Sequence, residues 1–365
     1  MKKWDRPLPH ENWRGWLGGR ESNHLTVPYD TKEAMVKSSA SSEKILEVRD
    51  LRTRFYTEEG EVKAVERLSL HVNKGESIGL VGESGCGKSV TALSIMRLVP
   101  YPPGIIVGGE ILFGGIDLLQ ASEKEMQHIR GNRISMVFQE PTTSLNPVLP
   151  IGKQIAETLE LHQNFDKTSA MKASVDLLRK VGIPDTEKRV EDFPHQFSGG
   201  MQQRIMIAMA ISCTPELLIA DEPTTSVDAT VQAQLLALIS RLRTQFNTSV
   251  IFITHNLGLV ARHVDRVYVM YAGRIVESAS TEELFDKPYH PYTRGLLASV
   301  PRLDRPRRSE LNPIAGLPPN LAHLPKGCSF HPRCEYMAGK CQHYDPELYQ
   351  LTQTHWVACH RRGAL

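Results

Sequence analysis

The sequence of 365 residues has no apolar run approaching the ~18–20 residues that a membrane-spanning helix needs. Its first segment, MKKWDRPLPHENWRGWLGG, has lysines at the start but no apolar stretch after them, so it does not predict a secretory signal. The net charge is only +2, without the strong basic excess typical of proteins that chiefly bind nucleic acid. We therefore expect a protein that stays in the cytoplasm and has no membrane span of its own.

Cysteine is scarce and unevenly placed. Four of the six cysteines follow the spacing C-x5-C-x6-C-x17-C, as Cys328, Cys334, Cys341 and Cys359. In a reducing compartment, clustered cysteines are more typical of metal ligands than of disulfides. The spacing matches neither the CxxC pairs of structural zinc sites nor the ferredoxin runs. From the residues alone, a tetrahedral zinc site, a [4Fe–4S] cluster and unliganded thiols all stay open.

Both ends of the chain differ from its middle. Residues 1–43 mix proline, glycine, serine and charge without a period, which predicts a poorly ordered N-terminal extension. Its tryptophans, Trp4, Trp13 and Trp16, allow a second interpretation, an aromatic contact with a partner or with the membrane interface. Proline-rich segments at the other end predict an appended tail domain, residues 286–365, that carries the four clustered cysteines.

The middle of the chain, residues 44–285, alternates short apolar runs with helical patterns. The runs SIGLV, RISMVFQ, LLIADEP and SVIFITH fit buried strands of a mainly parallel sheet. VQAQLLALISRLRTQF has its apolar residues at helical spacing, and RVYVMYAGRIVESAS is typical of a hairpin turning at Ala272–Gly273. The pattern predicts an α/β fold with a helical subdomain at about residues 140–205.

GLVGESGCGKSV is a phosphate-binding motif in the context that it requires, between a predicted strand at 77–81 and a predicted helix at 90–98. Backbone N–H groups of such a loop turn toward the phosphates, and the helix N-terminus adds positive potential. Lys88 would reach the β- and γ-phosphates, and Ser89 would ligate Mg²⁺. The residues expected to bind the nucleotide here are Gly82, Glu83, Ser84, Gly85, Cys86, Gly87, Lys88, Ser89 and Val90.

Three further predictions concern residues in or beside this loop. Asp221 ends the apolar run LLIAD, where its carboxylate would hold Mg²⁺ directly or through water. Glu222 follows and is placed to polarise the attacking water. Cys86 is expected to be exposed, so that thiol reagents would impair nucleotide binding.

The motif HQFSGGMQQR at 195–204 resembles the LSGGQ signature of ATP-binding cassette (ABC) proteins, and VFQEP, DEPTTSVDAT and ITHN resemble the other cassette motifs in order. GESGCGKS, EPTTSLNP, HPYTRGLL and the cysteine-bearing tail extend the resemblance to the ATPase subunits of dipeptide, oligopeptide and nickel importers. The resemblance implies a P-loop NTPase fold of ABC type, with a RecA-like core, an antiparallel β subdomain and a helical subdomain.

The resemblance also assigns roles outside the phosphate loop. Gln139 resembles the glutamine that touches Mg²⁺ and the attacking water, and His255 resembles the switch histidine at the γ-phosphate. Asp228 resembles the aspartate that crosses the dimer interface, and either Phe55 or Tyr56 resembles the aromatic that stacks on adenine. The implied catalytic residues are Glu222, His255 and Gln139, and the implied Mg²⁺ ligands are Ser89, Gln139 and Asp221.

The signature residues would act across a dimer. Ser198, Gly199, Gly200 and Gln202 resemble the residues that cap the γ-phosphate bound by the opposite subunit. A turn of small residues before a helix is a ready anion site, which supports this reading. ATP would then join two subunits, and hydrolysis would let them separate.

By resemblance, this chain is the ATP-hydrolysing subunit of an importer for di- or oligopeptides or a related small solute. The implied partners are two transmembrane permease subunits, a second and different ABC ATPase subunit, and indirectly an extracytoplasmic solute-binding protein, at the cytoplasmic face of the membrane. The implied cofactors are ATP, Mg²⁺ and a [4Fe–4S] cluster on the four tail cysteines, with zinc as the alternative. A different class, a soluble ABC ATPase acting on nucleic acid or ribosomes, is the competing hypothesis.

Overall fold

Strands and helices alternate through residues 43–224, 227–300 and 314–362, which the computed structural model describes. The predicted N-terminal extension and its tryptophans lie outside the described residues. The strands are β1 (Lys44–Thr57), β2 (Gly60–Asn73), β3 (Ser77–Val81), β4 (Gly104–Phe113), β5 (Ile116–Asp117), β6 (Ile134–Val137), β7 (Leu217–Asp221), β8 (Ser249–Thr254), β9 (Arg266–Tyr271), β10 (Arg274–Ser280), β11 (Tyr349–Gln350) and β12 (Trp356–Val357). The helices are α1 (Lys88–Ile95), α2 (Glu123–Ile129), α3 (Pro141–Ser144), α4 (Ile151–Gln163), α5 (Lys167–Lys180), α6 (Thr186–Arg189), α7 (Gly199–Ile211), α8 (Ala229–Phe246), α9 (Leu257–Val260), α10 (Thr281–Asp286) and α11 (Pro291–Ala298).

The central sheet has eight strands in the order β11-β12-β10-β9-β3-β8-β7-β6. Strands β9, β3, β8, β7 and β6 are parallel, whereas β10, β12 and β11 are antiparallel additions at one side. Every residue of β3 and β7 is buried, because a parallel sheet is covered on both faces. The mainly parallel sheet predicted from the apolar runs is therefore confirmed.

A second, antiparallel sheet has the order β2-β1-β4-β5. Apolar side chains of β1 and β2 pack with α1 and with one face of the central sheet in a common core. Strand β4 was not among the predicted strands, since the glycines of GIIVGGEILF interrupt its apolar pattern. Strand β4 is stabilised by antiparallel pairing with β1, a contact that the local sequence of β4 does not predict.

Helices α3 to α6 lie between β6 and β7 in the chain, where the helical subdomain was predicted. Helix α4 buries Ile151, Ile155 and Leu159 on one face, and α5 packs against it. Helix α5 begins where the Asp166 carboxylate accepts a hydrogen bond from the Ser169 N–H at 2.7 Å. These helices thus begin just after Gln139 and lead into α7 of the signature motif.

The end of the tail extends the central sheet. Strand β12 pairs with β10, and Glu277 lies in register with Val357. The Glu277 carboxylate, fully buried, accepts hydrogen bonds from the N–H groups of Tyr289 and His290 and lies 2.8 Å from His355 Nε2. A buried carboxylate needs such partners, and here they join the tail to the core.

None of the helices within residues 43–224, 227–300 and 314–362 combines the length and the apolarity that crossing a bilayer requires.

Candidate nucleotide-binding site

The phosphate loop connects β3 to α1 and depends on glycine at two points. Gly87 is the N-cap of α1 at φ 108°, a conformation that favours glycine, and a Cβ there would lie 2.2 Å from the Ala64 carbonyl oxygen. A Cβ at Gly82 would lie 2.2 Å from the Met270 carbonyl oxygen. The helix starts at Lys88, two residues before the predicted start, because Gly87 turns the chain into it.

Lys88 lies along the inner side of the loop. Its side chain is buried, and its Nζ donates hydrogen bonds to the carbonyl oxygens of Gly82 and Glu83, each at 2.9 Å. These contacts hold the ammonium group within the loop that would surround the phosphates. The loop therefore presents a fixed positive charge and, beside it, the N-terminus of α1.

Ser89 and Asp221, the two predicted Mg²⁺ ligands nearest the loop, are in contact. The Ser89 hydroxyl donates to Asp221 Oδ1 at 3.0 Å. Burial raises the pKa of Asp221, and the hydrogen bond from Ser89 opposes that rise. Two oxygen donors at one point beside a phosphate loop fit the hard-cation chemistry of Mg²⁺.

Glu222 brings the three predicted catalytic side chains together. Gln139 Nε2 donates to one carboxylate oxygen at 3.3 Å, and His255 Nδ1 lies 3.2 Å from the other. The Glu222 side chain is 12% exposed, whereas that of His255 is 59% exposed. Glu222 also has φ 45°, and its N–H donates to the Ile253 carbonyl at 2.9 Å. A left-handed conformation at a non-glycine residue is uncommon and often marks a functional position.

The signature motif forms the start of α7. Ser198 is its N-cap, without a side-chain hydrogen bond at that end, and both Ser198 and Gly199 are exposed. A Cβ at Gly200 would lie 2.9 Å from Val231 Cγ1, so the helix start packs closely against α8. Its N–H groups therefore lie at an accessible helix N-terminus, an arrangement that can bind an anion.

Gln202 has a different place from the other predicted signature residues. Its side chain is buried, and its amide Nε2 donates to the carbonyl oxygens of Pro194 and Phe197 at 2.9 and 3.2 Å. The side chain is therefore directed to the turn that precedes α7. In this structure it shapes the motif from inside, whereas the exposed end of the helix carries Ser198 and Gly199.

Asp228 and the two candidate adenine-stacking residues lie where the chain is exposed or half-exposed. Asp228 caps α8, and its Oδ1 accepts from the N–H groups of Thr230 and Val231, both at 3.0 Å. Phe55 is half-buried on β1, whereas Tyr56 is 57% exposed. Adjacent strand residues point to opposite sides, so at most one of these rings faces a given ligand.

The expectation of an exposed Cys86 is wrong. Its side chain is buried, 6% exposed, beneath the phosphate loop. Burial raises the pKa of its thiol, so the reactive thiolate is disfavoured. The loop sequence could not reveal this, because the covering residues come from distant parts of the chain.

Comparison with known proteins covers most of the chain. A family model described as ABC transporter matches residues 65–225, and one described as oligopeptide/dipeptide transporter, C-terminal region, matches residues 276–341. The chain is 52% identical over 314 residues to the oligopeptide transport ATP-binding protein OppD of Bacillus subtilis, covering 86% of this chain and 88% of that protein. It is 51% identical over 326 residues to the probable peptide ABC transporter ATP-binding protein y4tR of Sinorhizobium fredii, covering 89% of this chain and 97% of that protein.

The chain belongs to the ABC transporter ATP-binding proteins. A solved dimeric structure of the ATP-binding cassette MJ0796, in a post-hydrolysis state with ADP and Pi, is 22% identical with a TM-score of 0.59 and covers 65% of this chain and 98% of that one. At this identity the likeness concerns the fold alone. It confirms the cassette fold that the resemblance implied.

In this ABC ATP-binding protein the tail reaches the phosphate loop. The Arg333 guanidinium donates to both carboxylate oxygens of Glu83, at 2.7 and 2.9 Å, and the Glu83 N–H donates to the Tyr292 hydroxyl at 2.8 Å. Neither Arg333 nor Tyr292 was predicted to have a role. Tyr292 belongs to the HPYTRGLL motif quoted for the resemblance, and that was the one signal that pointed to it.

None of the four tail cysteines of this ABC protein forms a disulfide, and all are buried or half-buried. The Cys328 N–H donates to the Cys341 carbonyl at 2.9 Å. Burial first, and then the neighbouring thiols, raise the pKa of both Cys328 and Cys334 to about 11. Across the described residues, no three histidine, cysteine, aspartate or glutamate side chains form a group able to hold a metal ion. The arrangement of these side chains thus does not support the expected [4Fe–4S] cluster or its zinc alternative.

Proposed function

We propose that this chain is the ATP-hydrolysing subunit of an ABC importer for di- or oligopeptides. The convergence of Gln139 and His255 on Glu222, beside the contact of Ser89 with Asp221, carries the proposal at the level of chemistry. Similarity to peptide transport proteins along nearly nine-tenths of the chain supports the substrate class.

Different residues of the nucleotide-binding site bind the phosphates, hold Mg²⁺ and activate the attacking water. Lys88 and the loop N–H groups bind the phosphates, and Ser89, Asp221 and Gln139 are the side chains that would hold Mg²⁺. The ion would neutralise phosphate charge when bound. Glu222 orients and deprotonates the attacking water, and His255 contacts the γ-phosphate beside it. Gln139 contacts Glu222 at the entrance to the helical subdomain, so the subdomain can report the state of the nucleotide.

The proposal extends to a dimer. Ser198, Gly199 and Gly200 would cap a γ-phosphate bound by another ABC subunit, since their helix N-terminus is exposed. Asp228 would cross the same interface. ATP that binds the closed dimer better than the open one shifts the population toward closure, and hydrolysis reverses the shift.

The proposed partners are two transmembrane permease subunits, a second and different ABC ATPase subunit and, indirectly, an extracytoplasmic solute-binding protein. The chain would lie peripherally at the cytoplasmic face of the membrane. Its proposed division is a nucleotide-binding domain at 44–285 followed by a transporter-type tail domain at 286–365. The pairing of β12 with β10 means that the tail would be anchored on that domain's central sheet.

The competing hypothesis, a soluble ABC ATPase acting on nucleic acid or ribosomes, is not favoured. The family model that matches residues 276–341 is described as an oligopeptide/dipeptide transporter region, and both of the relatives named above are transport proteins.

Reconstitution tests the proposed function. The chain is combined with its permease subunits, second ATPase and solute-binding protein in lipid vesicles, and peptide uptake is measured with and without ATP. We expect uptake that requires ATP and is lost in the Glu222→Gln variant. ATP hydrolysis that peptide and binding protein leave unchanged, without uptake, would contradict the proposal.

The metal on the tail cysteines is a separate part of the proposal. The tail thiols lie near one another, since after burial the neighbouring thiols contribute to the raised pKa of Cys328 and Cys334, and this proximity supports a metal. The arrangement of the described side chains, however, does not form a metal-binding group. Anaerobic purification followed by iron, sulfide and zinc analysis decides the matter. About four irons and four sulfides per chain establish the cluster, stoichiometric zinc establishes the alternative, and neither metal leaves free thiols.

A further inference from the structure

Glu83 is held from both its backbone and its side chain by residues of the tail. Arg333 donates two parallel hydrogen bonds to its carboxylate, and Tyr292 accepts one from its N–H. The carbonyl of the same residue accepts from Lys88 Nζ at 2.9 Å. One loop residue therefore connects two tail side chains to the lysine of the phosphate site.

The tail side of this contact is buried and held by further hydrogen bonding and packing. The Arg333 side chain is 5% exposed, and its Nε donates to the Ala315 carbonyl at 3.0 Å. Tyr292 packs with Tyr271 and Phe330 in an aromatic cluster whose ring centroids lie 4.6 to 5.4 Å apart. Bidentate arginine–carboxylate geometry adds directional precision to such a sheltered pair.

The contact with Arg333 also compensates the negative charge of Glu83. A carboxylate in a phosphate loop would repel the phosphates of a nucleotide if it were unpaired. Arg333 supplies the compensating positive charge. Its loss would therefore free the loop that holds Lys88 and also leave a negative charge beside the phosphate site.

We propose that Arg333 and Tyr292 are positioning residues for ATP, which hold Glu83 so that the phosphate loop is preorganised and its carboxylate neutralised. The inference rests on the proposed nucleotide site, because the loop must bind phosphates for its positioning to matter. It gives the tail a direct part in nucleotide binding that lies outside the cassette motifs.

The full-length chain tests this with MgATP binding by titration calorimetry and with steady-state hydrolysis. We expect Arg333→Met to weaken binding about tenfold and to raise KM, with kcat nearly unchanged because Glu222 and His255 are not touched. A merely structural role would reduce the active fraction and kcat at an unchanged KM. Asp345→Asn is the matched control, since it removes another tail–core ion pair, with Arg274, away from the loop.

Two further variants test the charge compensation and the bidentate geometry separately. Glu83→Gln combined with Arg333→Met should recover part of the lost affinity, because no unpaired carboxylate remains. If Arg333→Met does not fold, Arg333→Lys retains the charge without the bidentate geometry and should show a smaller loss. Wild-type affinity in Arg333→Met or Arg333→Lys, or losses that simply multiply in the double variant, would overturn the inference. Failure of the wild-type chain itself to bind MgATP would instead refute the proposed function.

Discussion

Glu222 is the residue at which the chemistry of the site converges, because Gln139 and His255 both contact its carboxylate. Replacing it by glutamine keeps the shape and removes the base. We expect Glu222→Gln to slow ATP hydrolysis, measured as the production of inorganic phosphate, by a factor of roughly 10²–10⁴ while MgATP binding is retained. Glu110→Gln, which changes an exposed carboxylate paired with Arg49, is the control and should hydrolyse ATP normally. Hydrolysis at the wild-type rate in Glu222→Gln would show that another group activates the water.

Two glycines of the phosphate loop offer a matched pair at the same scale. Both Gly85 and Gly87 have positive φ, at 76° and 108°, but a Cβ at Gly85 meets nothing within 4 Å, whereas one at Gly87 meets the Ala64 carbonyl oxygen at 2.2 Å. We expect Gly87→Ala to lose most MgATP affinity and Gly85→Ala to lose much less, since only the first adds a backbone clash to the strain. Equal affinity losses, measured by calorimetry, would show that the close approach has no influence.

At the scale of elements, burial and chain conformation decide what a sequence pattern can predict. Strand β3 was predicted at its observed bounds, since five consecutive buried residues leave a plain apolar run. Helix α1 begins earlier than its apolar pattern because the conformation of Gly87 sets its start. Strand β4 was missed, because its stability comes from pairing with β1 and its glycines hide the pattern.

The N-terminus of α8 allows capping to be separated from a role in dimerisation. Asp228 accepts two backbone hydrogen bonds there, so Asp228→Ala should lower the free energy of unfolding by about 1 kcal/mol. Asp228→Asn retains the cap and removes the charge. If Asp228 also crosses a dimer interface, both variants should weaken ATP-dependent association, measured by light scattering in the Glu222→Gln background.

The control for that experiment is the cap of a helix outside the proposed interface. Asp166→Ala removes the cap of α5 and should reduce stability without changing association. If the Asp228→Asn variant shows the same ATP-dependent association as the parent with Asp228, the role of this residue is limited to capping α8.

At the scale of the whole molecule, the least predictable features are contacts between distant segments. The motifs predicted the phosphate loop, the Mg²⁺ ligands Ser89 and Asp221, and a catalytic role for Gln139, Glu222 and His255, because these residues lie at or after the ends of neighbouring parallel strands. The contacts of Gln139 and His255 with Glu222 were not predicted. The pairing of Glu83 with Arg333 joins residues 250 positions apart, and no local pattern encodes it. The burial of Cys86 has the same origin, so its expected exposure was wrong.

The buried junction between tail and core predicts how stability depends on pH. Burial lowers the pKa of His290 to about 4, from an ordinary 6.5, and its Nδ1 accepts the Tyr292 N–H at 3.1 Å. The unfolded chain therefore binds more protons than the folded chain between these two values, so stability is retained above pH 6.5 and falls as the pH drops toward 4. From His290 alone we expect a loss of about 2 kcal/mol in the free energy of unfolding between pH 7.5 and pH 5.

Denaturant unfolding at the two pH values, compared between wild type and His290→Asn, measures this contribution. Asparagine can still accept the Tyr292 N–H but does not titrate, so the variant should lose much of the pH dependence. His343→Asn, at an exposed tail position, should leave the dependence unchanged. A His290→Asn variant with the full wild-type slope would mean that the folded chain already accommodates a protonated His290, and that the acid sensitivity of the tail–core junction arises from other buried groups.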